Sequence, residues 1–209
     1  MPPYYSIHFS FPYSSYSPTF VEDIYTIIFK YFPFKSGYWH AEHDSFEEIV
    51  KWNDRLLSKK FILGYDQHYT HDYKQLLLDS AMHHELRLFW MYGANEITLH
   101  FITSEDDVLL AYPPLRFDLS KLQPFINLSV DLWTSQPASV VQTYLELGEP
   151  VRLRKLNKGA QPSIEPFCMM GRELFNKMKS SLPANYVSKL HNRGVLVVDQ
   201  DYLGSFNHN

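Results

Sequence analysis

Two neighbouring segments with alternating apolar residues place the strongest constraint on how this chain folds. In residues 86–92 and 95–102, apolar side chains recur at every second position, as they do on a strand with one buried face. Gly93-Ala94-Asn95 lies between the two segments and suits a tight turn. The pattern predicts a β-hairpin, and therefore an antiparallel sheet in the middle of the chain.

Further strands are predicted on both sides of the hairpin. Residues 4–11 alternate between apolar and polar side chains, which predicts a half-buried strand with Ser6, His8 and Ser10 on its polar face. The segment 138–147 fits a helix and a strand equally well. The other segments with a strand pattern are 126–133, 151–156, 167–171 and 195–198.

Helices are predicted from their start signals and their apolar spacing. Ser17-Pro18 begins a helix that ends before Pro33, and Ser45 with Glu48 forms a capping box at the start of a second helix. Two further helices are expected over 70–83 and 172–180. Together these elements predict an α+β fold, with a mostly antiparallel sheet packed against amphipathic helices, in a single domain over 1–209.

Charge and composition narrow the class of protein. The net charge is −4, which argues against direct nucleic-acid binding because phosphate contacts call for a basic surface. The N-terminus lacks the basic and apolar regions of a signal peptide, and no run approaches the ~18 apolar residues of a membrane span. We therefore expect a cytoplasmic protein without a membrane partner.

The common catalytic motifs are missing from the sequence. The chain has no GxGxxG, GxxxxGK[ST] or GxSxG pattern. Its one cysteine, Cys168, could be a nucleophile with His191 as base, but it lies in an apolar run that predicts a buried, inert thiol. We expect no enzyme activity, no cofactor and no metal site.

Two alternatives remain open at this point. The first is a metal-dependent hydrolase that uses His68 and His71 with Asp66 or Asp72, because imidazole and carboxylate are common metal ligands. The spacing matches no specific metal motif such as HExxH. The second is a carbohydrate-binding domain, in which exposed tryptophans would contact sugars. Its candidates are Trp39, Trp52 and Trp133.

The order of elements also resembles a known family. A strand ends in Trp133 and is followed by Pro137, a loop runs through Pro166, and the strands 167–171 and 193–198 follow around a polar helix. The first half has an N-terminal strand, two amphipathic helices and the hairpin. This layout resembles immunity proteins of bacterial polymorphic toxins and type VI secretion effectors, in particular immunity family fifty-two. The resemblance implies a non-enzymatic toxin inhibitor that binds its cognate toxin protein, and a nuclease is the expected kind of toxin.

A toxin inhibitor needs aromatic anchors and charges that match its target. Aromatic residues at positions that resemble loops are the candidate anchors: Tyr13, Tyr16, Tyr38, Trp39, Tyr65 and Tyr69. The candidate charges are Glu105, Asp106 and Asp107, which directly follow the hairpin and are expected in a solvated loop. The sequence leaves a homodimer open.

Overall fold

The structure of the chain is a computed structural model, which describes residues 3–61, 74–93, 95–135 and 138–203. Its strands are β1 (Tyr4–Pro12), β2 (Phe34–Tyr38), β3 (Gln75–Leu78), β4 (Leu86–Gly93), β5 (Glu96–Ser104), β6 (Leu109–Ala111), β7 (Arg116–Phe117), β8 (Val140–Tyr144), β9 (Phe167–Gly171), β10 (Tyr186–His191) and β11 (Gly194–Asp199). Its helices are α1 (Phe20–Ile28), α2 (Phe46–Ser58), α3 (Leu119–Ser135), α4 (Leu153–Leu156), α5 (Arg172–Met178) and α6 (Gln200–Leu203).

Nine of these strands form one sheet in the order β10-β11-β9-β8-β1-β5-β4-β3-β2, and β6 pairs with β7 in a second, small sheet. All neighbouring strands in the two sheets run antiparallel. The predicted α+β class and the predicted hairpin of β4 and β5 are confirmed. The single domain over 1–209 stays a prediction.

Strand β1 lies at the centre of the large sheet. It pairs with β5 from Tyr4↔Ser104 to Pro12↔Glu96 on one side, and with β8 on the other. The strand was predicted correctly, but its half-buried character was not. Its polar face is covered as well, so that Ser6, His8 and Ser10 are 8%, 7% and 0% exposed.

One face of the sheet, which we call the core face, packs against α1, α2 and α3. Aromatic pairs join the layers: Phe11 of β1 contacts Phe20 of α1 with ring centroids 5.4 Å apart, and Phe101 of β5 contacts Phe125 of α3 at 6.1 Å. The capping box of α2 is present, since the Ser45 N–H donates to the Glu48 carboxylate at 2.7 Å and the Glu48 N–H donates to the Ser45 hydroxyl at 3.3 Å.

The opposite side of the sheet, the back face, carries a second apolar cluster over β8, β9 and β11. Helices α4 and α5 supply Leu156, Phe175 and Met178 to this cluster. Cys168 lies in it with no exposed surface, and burial raises the pKa of its thiol, as predicted for an inert cysteine. His191 cannot serve as its base, because β11 lies between their two strands.

Three segments were assigned the wrong element. Residues 126–133 belong to α3, where buried positions such as Leu122, Phe125 and Ser129 recur at helical spacing that the shorter window hid. One element of the layout behind the family resemblance is therefore a helix. Residues 75–78 of the predicted third helix form β3, and 153–156 of the predicted strand 151–156 form α4.

The remaining differences concern short elements. The ambiguous segment 138–147 contains the fully buried strand β8. The strands β2 and β10 were not predicted, because they lie at the two edges of the sheet and show no regular alternation of apolar residues. The first helix begins at Phe20, after a turn in which the Phe20 N–H donates to the Ser17 carbonyl.

The Tyr25 hydroxyl joins three elements inside the core. It accepts hydrogen bonds from Asn53 Nδ2 of α2 at 3.0 Å and from Trp90 Nε1 of β4 at 2.8 Å, and the Tyr25 ring is fully buried. We expect Tyr25→Phe to lower the free energy of unfolding by about 1–3 kcal/mol, because two buried N–H donors lose their acceptor. Urea denaturation measures the change.

Tyr31→Phe is the matched control for this substitution. The Tyr31 hydroxyl donates to Asp131 at 2.5 Å on the exposed side of α3. Its loss should change the free energy of unfolding by no more than about 0.5 kcal/mol, as for most surface positions. Equal losses in the two variants would contradict the role assigned to Tyr25.

Candidate functional site

The back face changes character at β1. Gln142 of β8 pairs in register with His8, His8 with His100 of β5, and His100 with Phe89 of β4. Because side chains two residues apart share a face of a strand, this row places polar and aromatic residues beside the apolar cluster. The half of the back face formed by β1, β5 and β4 is therefore chemically different from the half under α4 and α5.

The loop after β8 forms a wall along this half. Gln142, which is fully buried, donates to the Val151 carbonyl at 2.9 Å and accepts from the Val151 N–H at 3.0 Å. These two bonds fix the loop residues Glu149 and Arg152 above the sheet. Between wall and sheet lies a cavity of about 480 Å³, which we call the histidine groove. It is lined by His8, Met91, Tyr92, Gly93, Glu96, Thr98, His100, Glu149, Pro150 and Arg152.

Two imidazoles lie side by side in the floor of the groove. The rings of His8 and His100 are 4.4 Å apart in an edge-to-face arrangement, and Phe89 stacks flat on His100 at 4.8 Å. The Nε2 atoms of the two histidines are paired with the hydroxyls of Ser10 at 3.1 Å and Thr98 at 3.0 Å. His8 Nδ1 is buried without a hydrogen-bond partner among the described residues.

The surroundings keep both imidazoles neutral near pH 7. Burial lowers the pKa of His8 well below its usual value, and the neighbouring His100 lowers it further. Burial likewise lowers the pKa of His100 to about 4. Neutral imidazoles are hydrogen-bond acceptors or donors without charge, so the floor of the groove adds polarity but no positive charge.

Glu96 closes the groove at the start of β5. Glu96 is only 8% exposed, and this burial raises the pKa of its carboxyl. The Ser10 hydroxyl, the Leu153 backbone and the charge of Arg152 each lower that pKa in part. Glu149 and Arg152 are exposed on the wall. Apart from the histidines, the acidic and basic side chains around the groove are those of Glu96, Glu149 and Arg152.

A second feature lies on the same face, toward the edge strand β2. Arg87 of β4 lies over the ring of Tyr4 at 4.6 Å and over the ring of Tyr38 at 4.9 Å, and its Nε donates to Glu85 at 2.9 Å. The Tyr38 ring contacts Trp39 at 5.6 Å. We call these four residues, Tyr4, Tyr38, Trp39 and Arg87, the aromatic–arginine cluster.

Trp39 is presented by an unusual turn. Trp39 and His40 both have positive φ, 41° and 31°, and the Ala41 N–H donates back to the Trp39 carbonyl. Each such residue that is not glycine costs on the order of 1–3 kcal/mol. Gly37 permits the turn, since a Cβ there would overlap the carbonyl of Ala41. The indole is 57% exposed, so the turn holds a large apolar side chain in solvent.

The predicted partner-binding residues fall into three groups. Tyr38 and Trp39 belong to the aromatic–arginine cluster. Asp106 is exposed, whereas Glu105 is half-buried and its carboxylate accepts from the Glu146 N–H at 2.9 Å. Both lie close to the cluster because the Glu105 N–H donates to the carbonyl of Pro3, next to Tyr4. Tyr65 and Tyr69 lie outside the described residues.

Asp107 does not belong to the solvated acidic loop that was predicted. It is 1% exposed and accepts hydrogen bonds from the His84 N–H at 2.9 Å, from His84 Nδ1 and from the Thr103 hydroxyl at 3.0 Å. Burial raises the pKa of Asp107, but these hydrogen bonds outweigh it and hold the pKa below the usual value. Asp107 braces the end of β5 and is not free for a partner.

The alternative readings are only partly covered by the structure. His68, His71, Asp66 and Asp72 lie outside the described residues, and the described part of the chain contains no group of three His, Cys, Asp or Glu side chains arranged to hold a metal ion. The hypothesis of a carbohydrate-binding domain requires an exposed Trp133 ring. That expectation is wrong, because Trp133 is 5% exposed and packs on Gly194. Trp52 is half-buried, with Arg55 above its ring at 4.4 Å.

Comparison with known proteins finds no family model and no curated protein that matches this chain. None of the helices in the described ranges is both long and apolar enough to cross a membrane.

The histidine groove was missed by sequence reasoning. His8 was placed on the polar side of its strand, yet His100 lies 92 positions further along, and only the β1–β5 register brings the two together. Glu96 and Arg152 belong to a strand end and to a loop whose placement depends on Gln142. The one available signal was the pair of histidines at polar positions of two alternating strands.

The two neutral histidines predict a loss of stability in mild acid. A histidine whose pKa is lower in the folded protein than in the unfolded chain stabilises the fold above the unfolded value, and that contribution is lost as the pH falls toward the folded value. For His100 the window runs from 6.5 down to about 4. The free energy of unfolding should fall across this window.

The double variant His8→Gln, His100→Gln tests this origin. Its free energy of unfolding, measured by urea denaturation from pH 7 to pH 4, should depend less steeply on pH than that of the parent chain. His43→Gln is the control, because His43 is exposed. A slope that stays unchanged in the double variant would contradict the buried, neutral state of His8 and His100.

Proposed function

We propose that the chain is an immunity protein, which binds a cognate secreted toxin in the cytoplasm and neutralises it without catalysing a reaction. A nuclease is the kind of toxin that we expect. The observation that carries the proposal is the aromatic–arginine cluster with its exposed Trp39. Tryptophan, tyrosine and arginine are the residue types that most often dominate the binding energy of protein interfaces.

The cost of the Trp39 turn supports this assignment. A chain that folded only for stability would bury the indole or replace it, because two left-handed residues and an exposed apolar ring both oppose folding. Tyr38 and Arg87 hold the neighbouring surface in a fixed arrangement, and a preorganised surface loses less entropy on binding. These features favour a docking surface for a protein.

Charge complementarity supports the choice of partner. The net charge of the chain is −4, and Glu105 and Asp106 lie beside the cluster through Tyr4 and Pro3. An enzyme that acts on nucleic acid carries a basic surface. Opposite potentials on the two proteins would accelerate their encounter and help to select the right partner.

Growth rescue tests the proposal directly. A candidate toxin domain taken from a neighbouring gene is expressed alone and together with the chain. We expect rescue of growth and a complex of one toxin to one inhibitor by size-exclusion chromatography. Absence of both rescue and complex, with the two proteins folded and expressed, would refute the immunity function for that toxin.

Trp39→Ala should weaken the complex by at least about 30-fold in Kd, because a central interface tryptophan contributes roughly 2 kcal/mol or more. The measurement is calorimetric titration with the purified toxin domain. Tyr112→Ala is the matched control, since Tyr112 is also an exposed aromatic residue, at 77%, but lies in the turn between β6 and β7. If the Trp39 variant and the parent chain bind the toxin with equal affinity, the aromatic–arginine cluster is not part of the interface.

A further inference from the structure

The histidine groove has the features of a ligand site that the proposed function does not yet use. Its volume of about 480 Å³ is in the range of roughly 300–1,000 Å³ that holds small ligands or single side chains. It opens on the same face of the sheet as the aromatic–arginine cluster, because Arg87 and Phe89 are two residues apart in β4 and share that face.

One buried atom in the groove has no partner. His8 is 93% buried, and its Nδ1 makes no hydrogen bond with any described residue. Buried polar atoms are nearly always paired, but Nδ1 has almost no accessible surface, so a ligand in the groove would be held by the charged side chains around it and not by this atom. Phe89 stacks on His100 and supports the floor from the side, but it does not itself line the groove.

The charged side chains around the groove indicate which charge a bound ligand should carry. Glu96 is buried and Glu149 is exposed, and among the described residues Arg152 is the only Lys or Arg that lines the groove. Two acidic side chains thus outnumber one basic side chain around the groove. A cation is therefore favoured over an anion, and a planar guanidinium could bind a carboxylate with two parallel hydrogen bonds while it stacks on an aromatic ring.

We propose that the histidine groove binds an arginine side chain of the protein partner, with Glu96 and Glu149 as its carboxylate acceptors. The inference rests on the proposed function for the identity of the partner, but the groove itself can be examined without that partner. Glu96 supplies the buried charge, and the wall residue Arg152 opposes binding.

The test is titration of the full chain with N-acetyl-arginine amide, followed through the imidazole signals of His8 and His100 by NMR. N-acetyl-citrulline amide is the matched probe, because it has the same shape without the charge. We expect saturable shifts with the arginine probe, with a dissociation constant in the millimolar range that single-residue ligands reach, and weak or no shifts with the citrulline probe.

Substitutions at three residues of the groove should change the affinity for the arginine probe in opposite directions. Glu96→Gln should weaken binding of the arginine probe about tenfold, as expected for a lost charged hydrogen bond. Glu149→Gln, at an exposed position, should weaken it about two- to threefold, and Arg152→Gln should strengthen it by a similar factor. Glu149 and Arg152 are exposed, so these two variants keep the test valid if Glu96→Gln does not fold.

Several results would overturn the inference. They are the absence of saturable shifts at tens of millimolar probe, equal binding of the citrulline probe, and weaker binding of the arginine probe by Arg152→Gln. A toxin complex that is sensitive to Trp39→Ala but unaffected by Glu96→Gln and Glu149→Gln would also overturn it while leaving the immunity function standing. Failure to form any toxin complex would count against the immunity function alone, because the probe titration does not involve the toxin.

Discussion

The structure depends on the two hydrogen-bond ladders that join β1 to its neighbours. Nine residue pairs connect β1 to β5, and five connect it to β8. On the β5 side lie the hairpin and the two strands that lead to the edge at β2, and on the β8 side lie the three strands that end at β10. Because all backbone pairing between the two halves passes through this strand, its register also decides which side chains meet on each face of the sheet.

For that reason the two faces of β1 make different contacts. On the core face, Phe11 contacts Phe20 of α1, and Phe9 contacts Phe101 of β5, which in turn contacts Phe125 of α3. On the back face, the same register aligns His8 with His100 and places Gln142 where it holds the loop that carries Arg152. The groove is therefore a product of strand pairing, and the aromatic–arginine cluster lies beside it on the same face.

Much of the fold was accessible from the sequence, because local patterns determine it. The alternation in the hairpin and the Ser45 capping box each depend on residues a few positions apart, and both predictions are confirmed. Residues 126–133 were misread because a short helical segment can alternate by chance. Asp107 was misread for a different reason: its partners, His84 and Thr103, are brought to it by the fold, and a charged residue after a strand is usually solvated.

The central position of the first strand has a consequence for how the chain is made. During synthesis β1 leaves the ribosome first, but β8, its second neighbour, follows roughly 130 residues later, which is on the order of ten seconds at about 5–20 residues per second. Throughout that interval an aromatic strand has an unpaired edge, a configuration that favours aggregation. Helices α1 to α3 and the hairpin of β4 and β5 all precede β8 in the chain, so the core face of β1 can be covered while the edge that β8 will occupy is still open.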